Sequence, residues 1–146
     1  MVERLAQTRP SLYLADETAW LEQTAKLASA GRWDEIDRDN LSEYLTDMAN
    51  RDRREVMSRL VVLLTHLLKW EHQTDKRTGS WQATIDLQRL ELRDLLESGT
   101  LLNHAQDVLA KAYERAVSQS AKETGLPLGH FSSACPYTLE ELLGEE

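Results

Sequence analysis

Apolar residues along this chain recur at intervals of three and four, and no stretch shows the strict alternation of β-branched and aromatic residues that marks a strand. The strongest run lies between Arg59 and Trp70. On a helical wheel, Val56, Leu60, Leu63, Leu64 and Leu67 form one stripe, with Met57, Val61 and Leu68 beside it and Trp70 on its flank. Together they cover about half the circumference, more than the usual amphipathic face. The pattern predicts a central helix over residues 51–72, about 33 Å long at the α-helical rise, touched on more than one side. Lys69 and Ser58 fall opposite the stripe, where water is expected, and Glu55 and Arg59 are spaced to pair along its border. Thr65, His66 and Lys69 interrupt the run, so it is too short and too polar to span a membrane.

The remaining segments follow the same period. Asp16 is placed to cap a first helix whose apolar face is Trp20, Thr24 and Leu27, and Gly31 is placed to end it. Trp33 and Ile36 open a second segment with an acidic start, and Leu41, Tyr44, Leu45 and Met48 continue it to about Ala49. Asn50 is then expected to cap the central helix after a short break. Residues 73–80 are a polar connector, and Ser80 is expected to cap a fourth helix with Trp81, Ile85, Gln88, Leu92, Leu95 and Leu96 inward. Ala83, Leu87 and Leu90 make a second apolar patch on that helix, to be covered by the C-terminal tail or by another subunit. After Ser98-Gly99-Thr100, a fifth helix carries Leu101, Ala105, Val108, Leu109, Ala112 and Ala116 on one face, and Gly125 with Pro127 stops it. Residues 126–146 read as an irregular tail packing on the bundle, with a capping box at Thr138 and Glu141. Residues 1–12 read as a poorly ordered lead-in. The expectation is a single all-α domain over 1–146, a bundle of four to five helices around 51–72. Its structural core is Leu60, Leu63, Leu64, Leu67, Trp70 and Trp81.

Charge adds one feature that periodicity does not. The chain of 146 residues has a net charge of −8, which argues against wholesale binding of nucleic acid or anionic membranes. The distribution is uneven. Residues 1–50 hold 5 Lys/Arg against 10 Asp/Glu, residues 51–93 hold 9 against 6, and residues 94–146 hold 3 against 9. The middle third is therefore locally basic, with Arg51, Arg53, Arg54 and Arg59 on one helix. They are suited to phosphate groups, to the acidic 34–39 segment, or simply to water. The single Cys135 and the absence of a leader pattern point to a cytoplasmic protein.

With the stretches in place, the chain resembles the family called domain of unknown function 29, found mainly in cyanobacteria. The resemblance rests on Trp20–Glu22, Ala30–Asp37 and Asn40-Leu41; on Arg53–Glu55, Ser58–Leu60 and His66–Trp70; on Ser80-Trp81; and on Glu123–Pro127 with Cys135–Leu143. It implies a nearly all-helical cytoplasmic protein and no activity.

Candidate chemistry is sparse. His66 and His72, six residues apart, do not share a helix face, and joining them to His104 or His130 matches no zinc template. Cys135 near His130, Ser132 and Ser133 invites a nucleophile reading, but a small buried plug explains it as well, and no oxyanion partner can be named. Lys69, Trp70, Arg77 and Trp81 could form a base-stacking surface, or the two tryptophans could close the core across the connector. No motif calls for a cofactor or places a catalytic set. The expected function is a non-catalytic protein–protein interaction or regulatory module, self-associating or not, with interaction candidates Arg51, Arg53, Arg54, Arg59, Leu87 and Leu90. The alternatives are nucleic-acid or phosphate binding through the basic helix, and a helical-bundle metalloprotein.

Overall fold

A computed structural model describes residues 11–145. They are all-α, with six α-helices and no strand among the described residues. The helices are α1 (Leu12–Ala15), α2 (Glu17–Ser29), α3 (Arg38–His72), α4 (Gly79–Leu95), α5 (Gly99–Thr124) and α6 (Leu139–Leu142). Short 3-10 turns occupy Trp33–Glu35, Thr74–Lys76 and Leu128–His130. Most of the expected lead-in, residues 1–10, lies outside the described residues, and Leu12 already begins α1. No helix among the described residues is long and apolar enough to cross a membrane.

Helix boundaries follow local side-chain chemistry. The Asp16 carboxylate accepts from the Ala19 amide at 3.1 Å, the Thr78 hydroxyl from Trp81 at 3.1 Å and the Ser98 hydroxyl from Leu101 at 3.3 Å. Each satisfies an amide that the first helical turn leaves unpaired. The cap of α4 is thus Thr78, not Ser80, which lies inside the helix. A second correction concerns α3. The break expected at Asn50 is absent, and one helix runs from Arg38 to His72. The physical reason is that neither proline nor glycine interrupts that stretch. The start lies instead at Asp37, whose Oδ1 accepts from the Asn40 amide at 3.4 Å.

The chain divides after Met48 into two compact units. In the first, Trp20 is buried, with ring centroids 4.7 Å from Tyr13 and 6.0 Å from Tyr44. Ile36 is buried and Trp33 is 63% exposed. Helix α2 ends in a Schellman motif: Gly31 has φ of +72°, its amide donates to Ala28, and the Arg32 amide donates to Leu27. Arg32 pairs with Glu35 at the surface.

The second unit is a bundle built around α3 from residue 49 onward. Val56, Leu60, Leu63, Leu64 and Leu68 of α3 pack with Ile85, Leu92 and Leu96, with Ala105, Ala112, Tyr113 and Ala116 of α5, and with Phe131, Leu139, Leu142 and Leu143 of the tail. Each fully buried leucine contributes about 1.5–3 kcal/mol. Leu67 and Trp70 are half-buried against this cluster, whereas Trp81 is half-buried and lies outside it. The small side chains of α5 let α3 come close enough for the buried Ser120 hydroxyl to donate to the Thr65 carbonyl at 3.4 Å.

The tail is fastened by arginines of α4. Arg89 Nε donates to the Leu142 carbonyl and Arg93 Nη1 to the Leu143 carbonyl, each at 2.9 Å. These are carbonyls that the end of a helix leaves without an internal partner. At the other end of α6 the Thr138 hydroxyl accepts from the Glu141 amide and donates to the Glu141 carboxylate, both at 3.1 Å.

Candidate functional site

Two mainly polar stripes, each with one apolar residue, face one another in the second unit. On α3 they are Asn50, Arg53, Arg54 and Met57, at positions i, i+3, i+4 and i+7. On α5 they are His104, Val108, Lys111 and Arg115, at i, i+4, i+7 and i+11. Both spacings keep their members on one side of a helix. The eight residues line an open groove of about 320 Å3. No carboxylate lines it, and none of its four permanent cations takes part in an ion pair among the described residues. Arg53 makes a long contact of 3.5 Å to the Asn50 amide oxygen and is half-buried. Met57 and Val108 supply an apolar floor.

The groove takes two of the four arginines singled out from the sequence. Arg51 is exposed and does not line it. Arg59 is engaged elsewhere: its guanidinium reaches Glu55 at 2.9 Å, the Gln88 side chain at 3.2 Å and Glu91 at 3.8 Å, tying α3 to α4. Sequence reading weighed His104 only as a metal ligand and missed Lys111 and Arg115. The acidic balance of residues 94–146 hid them, although Lys111 and Arg115 are two of only 3 Lys/Arg in that third. Their i, i+4 spacing was the available signal.

Lys69, expected on the wet side, is buried instead. Its ammonium lies 4.8 Å from the Trp81 ring centroid and 3.5 Å from the Glu123 carboxylate. Packing on several sides of α3 leaves no wet side at that level, so the cation keeps a ring and a carboxylate as partners. Arg77 covers Trp70 in the same way at 4.6 Å and donates to the Trp70 carbonyl at 2.8 Å. The aromatic and basic residues of this end are thus paired with one another.

Of the weak metal candidates, His66 Nδ1 lies 2.9 Å from the Val62 carbonyl. His72 and His130 meet edge to face, with centroids 4.8 Å apart, and both contact Phe131. No three His, Cys, Asp or Glu among the described residues are arranged to hold a metal ion.

Cys135 is half-buried, and its thiol donates to the Tyr137 carbonyl at 3.5 Å. Burial pushes the thiol above its ordinary range, which disfavours the thiolate that nucleophilic chemistry needs. Tyr113 donates to the Ser132 carbonyl at 2.7 Å, and burial raises its phenol as well. Tyr137 is raised further, by burial first and by Glu71 second, yet its buried hydroxyl has no hydrogen-bond partner. Beside Tyr113, a cavity of about 400 Å3 is lined by Tyr113, Glu114, Val117, Leu128, Gly129, Phe131, Ser132 and Ser133.

The interaction candidates Leu87 and Leu90 are each 51% exposed, and Ala83 above them is exposed too. The tail does not cover them; it fastens to Arg89 and Arg93 instead.

Neither a curated protein nor a solved structure matches this chain. A family model does match, over residues 12–146, and on that match the chain belongs to the family described as "Domain of unknown function DUF29".

Proposed function

We propose that this chain is a non-catalytic, cytoplasmic binding module that holds an anionic group of its ligand in the α3/α5 groove. One observation carries the reading. Arg53, Arg54, Lys111 and Arg115 converge on one groove with no acidic partner among the described residues, in a chain whose net charge is −8. Basic groups held together this way raise the local potential and attract negative charge. The test is capture from native lysate at low salt, comparing the wild type with Arg54→Glu plus Lys111→Glu. The species retained by the wild type is expected to be lost from the double variant. Equal retention by both proteins would sink the reading, and loss on nuclease treatment would identify the species as nucleic acid.

A second reading, self-association through α4, is favoured by the exposure of Leu87 and Leu90. Sedimentation across a range of concentrations tests it. A dimer that dissociates on Leu87→Glu plus Leu90→Glu is expected, and a monomer at every concentration would remove it.

A further inference from the structure

We infer that the ligand of the α3/α5 groove is a small phosphorylated molecule carrying a diphosphate or two phosphate groups. The inference rests on the anionic-ligand reading above and narrows its chemistry. Charge comes first. Four permanent cations line the groove, two from each helix, and a single carboxylate would leave most of that charge unanswered. Two phosphate groups answer it. Donor shape comes second. Three of the four cations are arginines, whose planar fork matches phosphate oxygens bidentately, and the fourth, Lys111, adds a point charge. Asn50 and His104 extend the set of polar groups at the two helices.

Spacing supports more than one anionic group. Lys111 and Arg115 are one turn apart, about 6 Å along α5, and Arg53 and Arg54 line the same groove from α3. Size and floor then choose among phosphate-bearing ligands. A groove of about 320 Å3 falls at the small-molecule end of binding sites. Its floor, Met57 and Val108, offers an apolar rest for an organic moiety, and no Phe, Tyr or Trp lines it, His104 being its one ring. Single-stranded nucleic acid is held by aromatic platforms along an extended basic track; the two tryptophans of the second unit, Trp70 and Trp81, are covered by Arg77 and Lys69.

The experiment is calorimetric titration of the full chain with inorganic pyrophosphate, and separately with citrate as a polycarboxylate of comparable charge, at one fixed ionic strength. Pyrophosphate is expected to bind one to one, and citrate at least tenfold more weakly. Lys111→Glu plus Arg115→Glu should weaken pyrophosphate at least tenfold, while Arg51→Glu, outside the groove, should leave it unchanged. Folding of each variant is checked by its melting curve, and in the wild type the Met57 methyl and His104 ring resonances should shift on addition of pyrophosphate. Equal affinity for citrate and pyrophosphate would overturn the phosphate preference and leave the anionic groove standing. So would an absence of pyrophosphate binding while lysate capture still depends on Arg54 and Lys111. Pyrophosphate affinity untouched in the groove variants, together with groove-independent capture, would overturn both readings.

Discussion

The second unit uses its positive charge in two ways. From Arg59 onward along the chain, five cations have a task within the fold. Lys69 sits between Trp81 and Glu123, Arg77 covers Trp70, Arg59 bridges to α4, and Arg89 and Arg93 fasten the tail. Earlier on α3 and across on α5, Arg53, Arg54, Lys111 and Arg115 have no such partners among the described residues. The same residue types thus divide into cations that hold the structure and cations available to a ligand. The difference is set by what faces them: rings, carboxylates and carbonyl oxygens in one region, open groove in the other.

That division orders the effects of substitution. Lys69→Glu should be the most damaging, because it buries a carboxylate beside Glu123 and removes the cation from Trp81; a loss of about 3–5 kcal/mol is expected in urea unfolding. A loss below 1 kcal/mol would mean that Lys69 is not a structural cation. Arg89→Ala with Arg93→Ala comes next. It removes two charge-assisted hydrogen bonds to the tail and should cost about 2 kcal/mol, with earlier proteolysis after Phe131 as the local sign. Unchanged proteolysis would show that the apolar contacts of Leu139, Leu142 and Leu143 hold the tail alone.

Tyr137→Phe should have a smaller effect of opposite sign, since it deletes a buried hydroxyl without a partner: about 1 kcal/mol of stabilisation, or none. It also carries a pH dependence. The Tyr137 phenol is raised above its ordinary 10.0 in the folded chain. Folding stability is therefore insensitive to this phenol below about pH 10 and falls as pH rises further, because the unfolded chain ionises first. Tyr113 acts in the same direction. Thermal melts from pH 8 to 11 should show a shallower alkaline decline for Tyr137→Phe than for the wild type, and parallel curves would contradict the shift. The smallest effect belongs to the groove. Arg54→Glu with Lys111→Glu should change stability by no more than about 0.5 kcal/mol in either direction, and a large loss would class these cations with the structural ones.

Local chemistry was the legible part of the sequence. The all-α class, the caps at Asp16 and Thr138, the stops at Gly31 and Gly125, and the buried positions Leu60, Leu63 and Leu64 all follow from period and turn chemistry within a few residues. What required the structure was pairing over distance. A wheel places Lys69 opposite the apolar stripe, but cannot show that Trp81 and Glu123 arrive there from other helices. Net charge per segment likewise obscured the groove, since Lys111 and Arg115 lie in an acidic third and meet Arg53 and Arg54 only when α3 and α5 pack. Asn50 failed for a simpler reason: a residue suited to capping is also tolerated inside a helix when nothing breaks the backbone around it.

The fastening of the tail bears on how the protein is made. Arg89 and Arg93 meet carbonyls 53 and 50 residues further along the chain, and Leu139, Leu142 and Leu143 fill the same core as α3 and α5. During synthesis, therefore, α3, α4 and α5 emerge and form before the segment that closes their core exists. Until that segment follows, the core that α3, α4 and α5 share lacks the apolar side chains of Leu139, Leu142 and Leu143.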